Sequence, residues 1–81
     1  MEIDEALDRL RNESAIDFKE LLKICRAFFD GPRIRGSHHI FKMRWIGNPR
    51  INIQKDGPKA KAYQVKQVKE ALLKLKGISK E

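Results

Sequence analysis

The hydrophobic period of this chain changes twice. Up to Asp30 the apolar residues recur at helical spacing, after Gly31-Pro32 they alternate, and after Asp56-Gly57-Pro58 the helical spacing returns. A period of 3.6 buries one stripe of a helix and a period of 2 buries one face of a strand. The order is therefore helices, strands, helix. An antiparallel sheet covered on its apolar face by helices is the two-layer α+β arrangement that accommodates it. With 81 residues the chain reads as one domain, since a protein of this size buries only roughly 60% of its unfolded surface and cannot support two cores.

Residues 2–11 place Ile3, Ala6, Leu7 and Leu10 on one face of a short helix. Asp17 followed by Glu20 resembles a capping box, with Ile16 placed to staple against Leu21. The helix that starts there runs through Phe18, Leu21, Leu22, Cys25 and Phe29 and stops near Asp30, because Gly31 and Pro32 remove helical geometry and an amide donor. Residues 33–35 form a short alternating stub, Gly36 interrupts it, and residues 37–45 alternate again. Parity sends His39, Phe41, Met43 and Trp45 inward and His38, Ile40, Lys42 and Arg44 outward. Gly47-Asn48-Pro49 signals a turn into residues 50–54, where Ile51 and Ile53 point inward. Pairing these strands gathers His38, Lys42, Arg44, Arg50, Asn52 and Gln54 on the outer face. After Lys59-Ala60-Lys61 a last helix buries Val65, Val68, Ala71, Leu72 and Leu75, with Gly77 placed as its C-cap.

Charge is distributed unevenly over these segments. The net charge is +7, from 18 basic and 11 acidic residues. Residues 1–30 carry five basic and eight acidic side chains, whereas residues 31–81 carry thirteen basic and three acidic ones. A gradient from −3 to +10 is the footprint expected of a polyanion partner, because phosphate neutralisation supplies most non-specific nucleic-acid affinity; a basic face kept for solubility is the alternative. No apolar run approaches the roughly 18 residues of a membrane span, and the start of the chain is acidic where a signal peptide is basic. A soluble, cytoplasmic protein is expected. Cys25, the single cysteine, lies at core spacing from Leu21, Leu22 and Phe29, so it reads as a buried thiol and not a nucleophile.

The residues that carry chemistry lie at Gly36-Ser37-His38-His39. A histidine titrating near neutrality takes a proton from an RNA 2′-hydroxyl or gives one to the leaving 5′-oxygen, and nearby cations stabilise the transition-state charge. Arg33, Arg35, Lys42, Arg44 and Arg50 are the candidates for that electrostatic part, with Gly36 and Ser37 placed for a phosphate contact. Adjacent histidines on a strand face opposite ways, so they neither act together on one phosphate nor chelate one metal. His38 is therefore the catalytic candidate, and His39 reads as a half-buried structural residue. No phosphate-binding glycine loop, no Cys/His metal spacing and no paired carboxylates are present in the strand region, so no metal and no cofactor is expected. Phe41, Trp45 and Tyr63 have rings able to stack on bases, but parity assigns Phe41 and Trp45 to packing.

On these residues the chain resembles the HicA toxin family of type II toxin–antitoxin modules. The resemblance covers residues 17–78, from Asp17-Phe18-Lys19-Glu20-Leu21-Leu22 through Arg35-Gly36-Ser37-His38-His39-Ile40-Phe41 to the closing helix. It implies a fold like the double-stranded RNA-binding domain, with a three-stranded antiparallel sheet packed on two helices. It also implies an mRNA interferase with His38 as catalytic residue, RNA as substrate and a HicB-type antitoxin as partner. Two features depart from the family. Members often carry Pro-x-His near the end of the last strand, where this chain has Ile51-Asn52-Ile53-Gln54, and residues 1–12 form a helical extension outside the usual domain. The same basic face also suits a second function, a non-catalytic double-stranded RNA or nucleic-acid-binding module reading shape across a minor groove.

Overall fold

The computed structural model describes residues 1–47 and 49–79. In chain order the elements are α1 (Ile3–Arg9), a single 3₁₀ turn (Glu13–Ala15), α2 (Phe18–Phe28), β1 (Asp30–Arg35), β2 (His38–Lys42), β3 (Arg50–Gln54) and α3 (Ala62–Ser79). The three strands form one antiparallel sheet in the order β1-β2-β3. Alternation buries Phe41, Ile51 and Ile53 against the helices, and Phe41 pairs with Ile51 across the ladder. Phe18, Leu21, Ile24 and Cys25 of α2 and Val65, Val68, Ala71 and Leu72 of α3 complete the same core. The opposite sheet face is left uncovered, with Arg33, Arg35, Lys42, Arg50 and Asn52 all exposed. Among the described residues no helix is long and apolar enough to cross a membrane.

Helix α1 belongs to this core. Ala6 and Leu10 are fully buried in it, Ile3 and Leu7 pack against it, and α1 lies on α3. Ion pairs close over the contact: Arg9 with Glu20, Lys76 with Asp4, and Lys69 with Glu13 from the 3₁₀ turn.

The structure corrects four local readings. The capping box does not form: Asp17 occupies the N-cap of α2 but makes no side-chain cap bond, and its carboxylate lies 2.9 Å from Lys59 Nζ. Backbone bonds brace that end of the helix instead. The Phe18 amide donates to the Pro58 carbonyl and the Ala60 amide to Ile16. Gly31 and Pro32 do not separate helix from strand but lie within β1, where the register shifts between Asp30 and Arg33. Gly31 has φ +132°, and a Cβ there would stand 2.9 Å from the Ile40 carbonyl oxygen, so only glycine lets the bulged strand approach β2. β2 ends at Lys42 and not at Trp45. One further bond, Met43 N–H to the Pro49 carbonyl, prolongs the pairing before the chain turns away. Asn48, part of the expected turn, lies outside the described residues. Finally, α3 continues through Gly77 to Ser79.

Candidate functional site

The two-residue turn Gly36-Ser37 closes the β1–β2 hairpin, with Gly36 at φ +58°, a left-handed conformation that glycine adopts without strain. This places His38 opposite Arg35 in the ladder, with Gln54 on its other side. Period-2 alternation then carries Arg33, Ile40 and Asn52 across one row of the open face and Lys42 and Arg50 across the next. The sheet geometry alone assembles the cluster.

Two concavities open on this face. The first, of about 460 Å³, is lined by Arg33, Arg35, Lys42 and Arg50 around Ile40, with Asp30 and Gly31 at its end. None of these four cations forms an ion pair with a described residue, whereas Lys59, Lys61, Lys69 and Lys76 around α3 are each matched to a carboxylate. The ion pairs thus offset part of the positive charge on the helical side, whereas the four sheet cations keep theirs. Asp30, the one acid in the basic concavity, is itself held by Arg44, whose Nε lies 3.2 Å from its carboxylate. Exposed pairs of this kind contribute about 0–1 kcal/mol. The effect of this one is to cancel a misplaced negative charge.

The second concavity, of about 410 Å³, is lined by His38, Arg50, Asn52, Gln54 and, from α3, Tyr63, Gln64 and Gln67. Arg50 lines both, so the two form one continuous surface. His38 Nδ1 lies 3.2 Å from Asn52 Oδ1. An amide oxygen only accepts, so Nδ1 carries the hydrogen and donates it, and Nε2 is the basic nitrogen. Asn52 is a positioning residue for that tautomer.

His39 faces the other way, as parity requires. Its ring meets Phe18 edge-on at 5.2 Å, and its Nδ1 donates to the Ser37 carbonyl at 3.3 Å. Ser37 is tied into the hairpin: its carbonyl also accepts from the Lys55 amide, and its hydroxyl accepts from Gln54 Nε2 at 3.4 Å. Of the expected phosphate contacts, the structure brings Arg33, Arg35, Lys42 and Arg50 together. Gly36 and Ser37 sit in the adjoining turn, and Arg44 stands apart in the β2–β3 connection. Phe41 is buried and Trp45 packs on the core with Lys74 Nζ 5.2 Å from its ring, so neither offers a free stacking face. Burial pushes the Cys25 thiol up to about 12, which keeps it protonated and unreactive.

Of the α3 residues that line the second concavity, the sequence picks out Tyr63 but not Gln64 or Gln67. Gln64 is 1% exposed, its Nε2 donates to Tyr63 Oη at 3.3 Å, and its Oε1 accepts from no described residue. Leaving a buried amide oxygen unpaired costs about 1–3 kcal/mol. Gln64 lies four residues before Val68 and seven before Ala71, so helical spacing places it on the buried stripe of α3; its polar side chain, not its position, hides it among the apolar residues.

Among the described residues, no group of three His, Cys, Asp or Glu side chains is gathered to hold a metal ion. No protein-family model, curated protein or solved structure matches this chain.

Proposed function

We propose that this chain is an endoribonuclease acting on mRNA in the cytoplasm, the HicA-type toxin of a type II toxin–antitoxin module. The observation that carries the reading is His38: its Nδ1 is engaged by Asn52, its Nε2 is basic, and its concavity shares Arg50 with one lined by four cations that form no ion pair among the described residues. The order α2-β1-β2-β3-α3 is that of the double-stranded RNA-binding domain and supports the same fold here.

In this mechanism Arg33, Arg35, Lys42 and Arg50 hold the RNA backbone, and His38 Nε2 takes the proton of the 2′-hydroxyl. The freed oxygen attacks phosphorus and the bond to the 5′-oxygen breaks. That oxygen regains a proton from the imidazolium or from water, leaving a 2′,3′-cyclic phosphate and a 5′-hydroxyl. Arg50, which lines both concavities, and Arg35, opposite His38 in the ladder, stabilise the extra negative charge on phosphorus. The reaction requires no metal, and a HicB-type antitoxin restrains it by covering His38.

A defined RNA incubated in EDTA, beside the same RNA with a 2′-deoxy sugar at the cut position, tests this mechanism. Cleavage of the first alone is the expected result. Cleavage of both, or loss of activity in EDTA restored by a divalent cation, contradicts it. The basic concavity also supports the second reading, a non-catalytic RNA-binding module, since its cations bind phosphates without help from His38. Tight, salt-sensitive binding with no products on long incubation is the outcome that favours it.

A further inference from the structure

Four side-chain amides converge beside His38, and one of them is buried with an unused acceptor. Asn52 and Gln54 come from β3 and Gln64 and Gln67 from α3, with Tyr63, 57% exposed, at the rim. Among the described residues no carboxylate lines this concavity, and Arg50 links it to the basic one. Carboxamides offer a donor and an acceptor in one plane, which matches the edge of a nucleobase. An exposed tyrosine supplies a face on which a base stacks. A volume of about 410 Å³ falls within the range of small-ligand sites, roughly 300–1,000 Å³.

We propose that the concavity between β3 and α3 is a base-binding subsite that takes one unpaired nucleobase next to the phosphate held at His38. Tyr63 stacks on that base and the Gln64 amide reads its edge. This rests on the endoribonuclease reading and adds to it a substrate class, single-stranded RNA with a base preference at one position. A paired base has its Watson–Crick edge occupied and its faces stacked, so duplex RNA cannot enter. The Gln64 oxygen is enclosed in the free protein, and it becomes a recognition group when Tyr63, bonded to the same amide, shifts as it stacks on the base.

The test uses single-stranded heptamers that differ only at the central base, made uncleavable by 2′-deoxy sugars at every position, with binding measured by fluorescence anisotropy. The wild type is expected to spread the four affinities by at least about fivefold, Gln64→Leu to abolish the spread, and Tyr63→Ala to weaken all four roughly tenfold. Gln64→Leu is also expected to melt at a higher temperature than the wild type, a gain that no structural role for the glutamine produces. Equal binding of the four heptamers by the wild type, or an unchanged spread in Gln64→Leu, overturns the subsite. The two proposals fail separately: base discrimination without cleavage of the all-ribose heptamers removes the catalytic reading alone, and cleavage indifferent to the central base removes the subsite alone.

Discussion

His38 owes its chemistry to three neighbours. The Gly36-Ser37 turn fixes where it leaves the hairpin, Asn52 fixes its tautomer, and Arg35 faces it across the ladder. Removing the imidazole is expected to lower the cleavage rate by roughly 10² or more while RNA affinity, set by the cations, stays within about twofold. A stopped cleavage assay paired with a binding titration reads both. Gly31 is the residue on which the sheet geometry depends most narrowly. A Cβ there meets the Ile40 carbonyl at 2.9 Å in a positive-φ conformation, so Gly31→Ala is expected to destabilise the fold by about 1–3 kcal/mol, measured by thermal unfolding. Cys25 is predicted to be silent. With its thiol raised to about 12 by burial, it should resist a thiol-reactive dye in the native protein and label rapidly in denaturant. Rapid native labelling is the contrary result.

At the scale of elements, the open sheet face was legible from parity alone. Alternation in residues 50–54 and from His38 to Lys42 predicts which side chains share a face, and the ladder places them there. What parity could not show was where alternation ceases to mean strand. Met43 and Trp45 continue the pattern in sequence, but the chain leaves the sheet after Lys42, which keeps Arg44 out of the lining of the basic concavity and pairs it with Asp30. The Asp17–Glu20 spacing was similarly ambiguous, because Lys59 and Arg9, distant in sequence, compete for those carboxylates. Gln64 was hidden for a third reason: it shares the buried stripe of Val68 and Ala71 at helical spacing, but a stripe read from apolar residues alone passes over a glutamine. For the sheet face itself, Arg33→Ala and Arg35→Ala are each expected to reduce the slope of log affinity against log salt by about 0.7–1. An unchanged slope means that β1 does not meet the backbone.

Over the whole molecule, the charge gradient along the chain becomes a gradient through space. The acidic N-terminal third folds back on α3, and Asp4, Glu13 and Asp17 pair with lysines of the second half. The cations of the sheet keep no such partners. Residues 1–12 fill the core of the helical layer with Ala6 and Leu10 and supply one of those three pairs, Asp4 with Lys76. Leu10→Ala is expected to cost about 2–5 kcal/mol, read as a loss in unfolding midpoint, and a shift near zero contradicts a structural role for α1.

One histidine beside a basic sheet face is proposed to cut RNA. The most direct test is cleavage of a single defined mRNA by the purified wild type and His38→Ala, both shown by circular dichroism to be folded and by titration to bind that RNA. The prediction is discrete products from the wild type and none from the variant at equal occupancy. Equal product formation by the two proteins contradicts it.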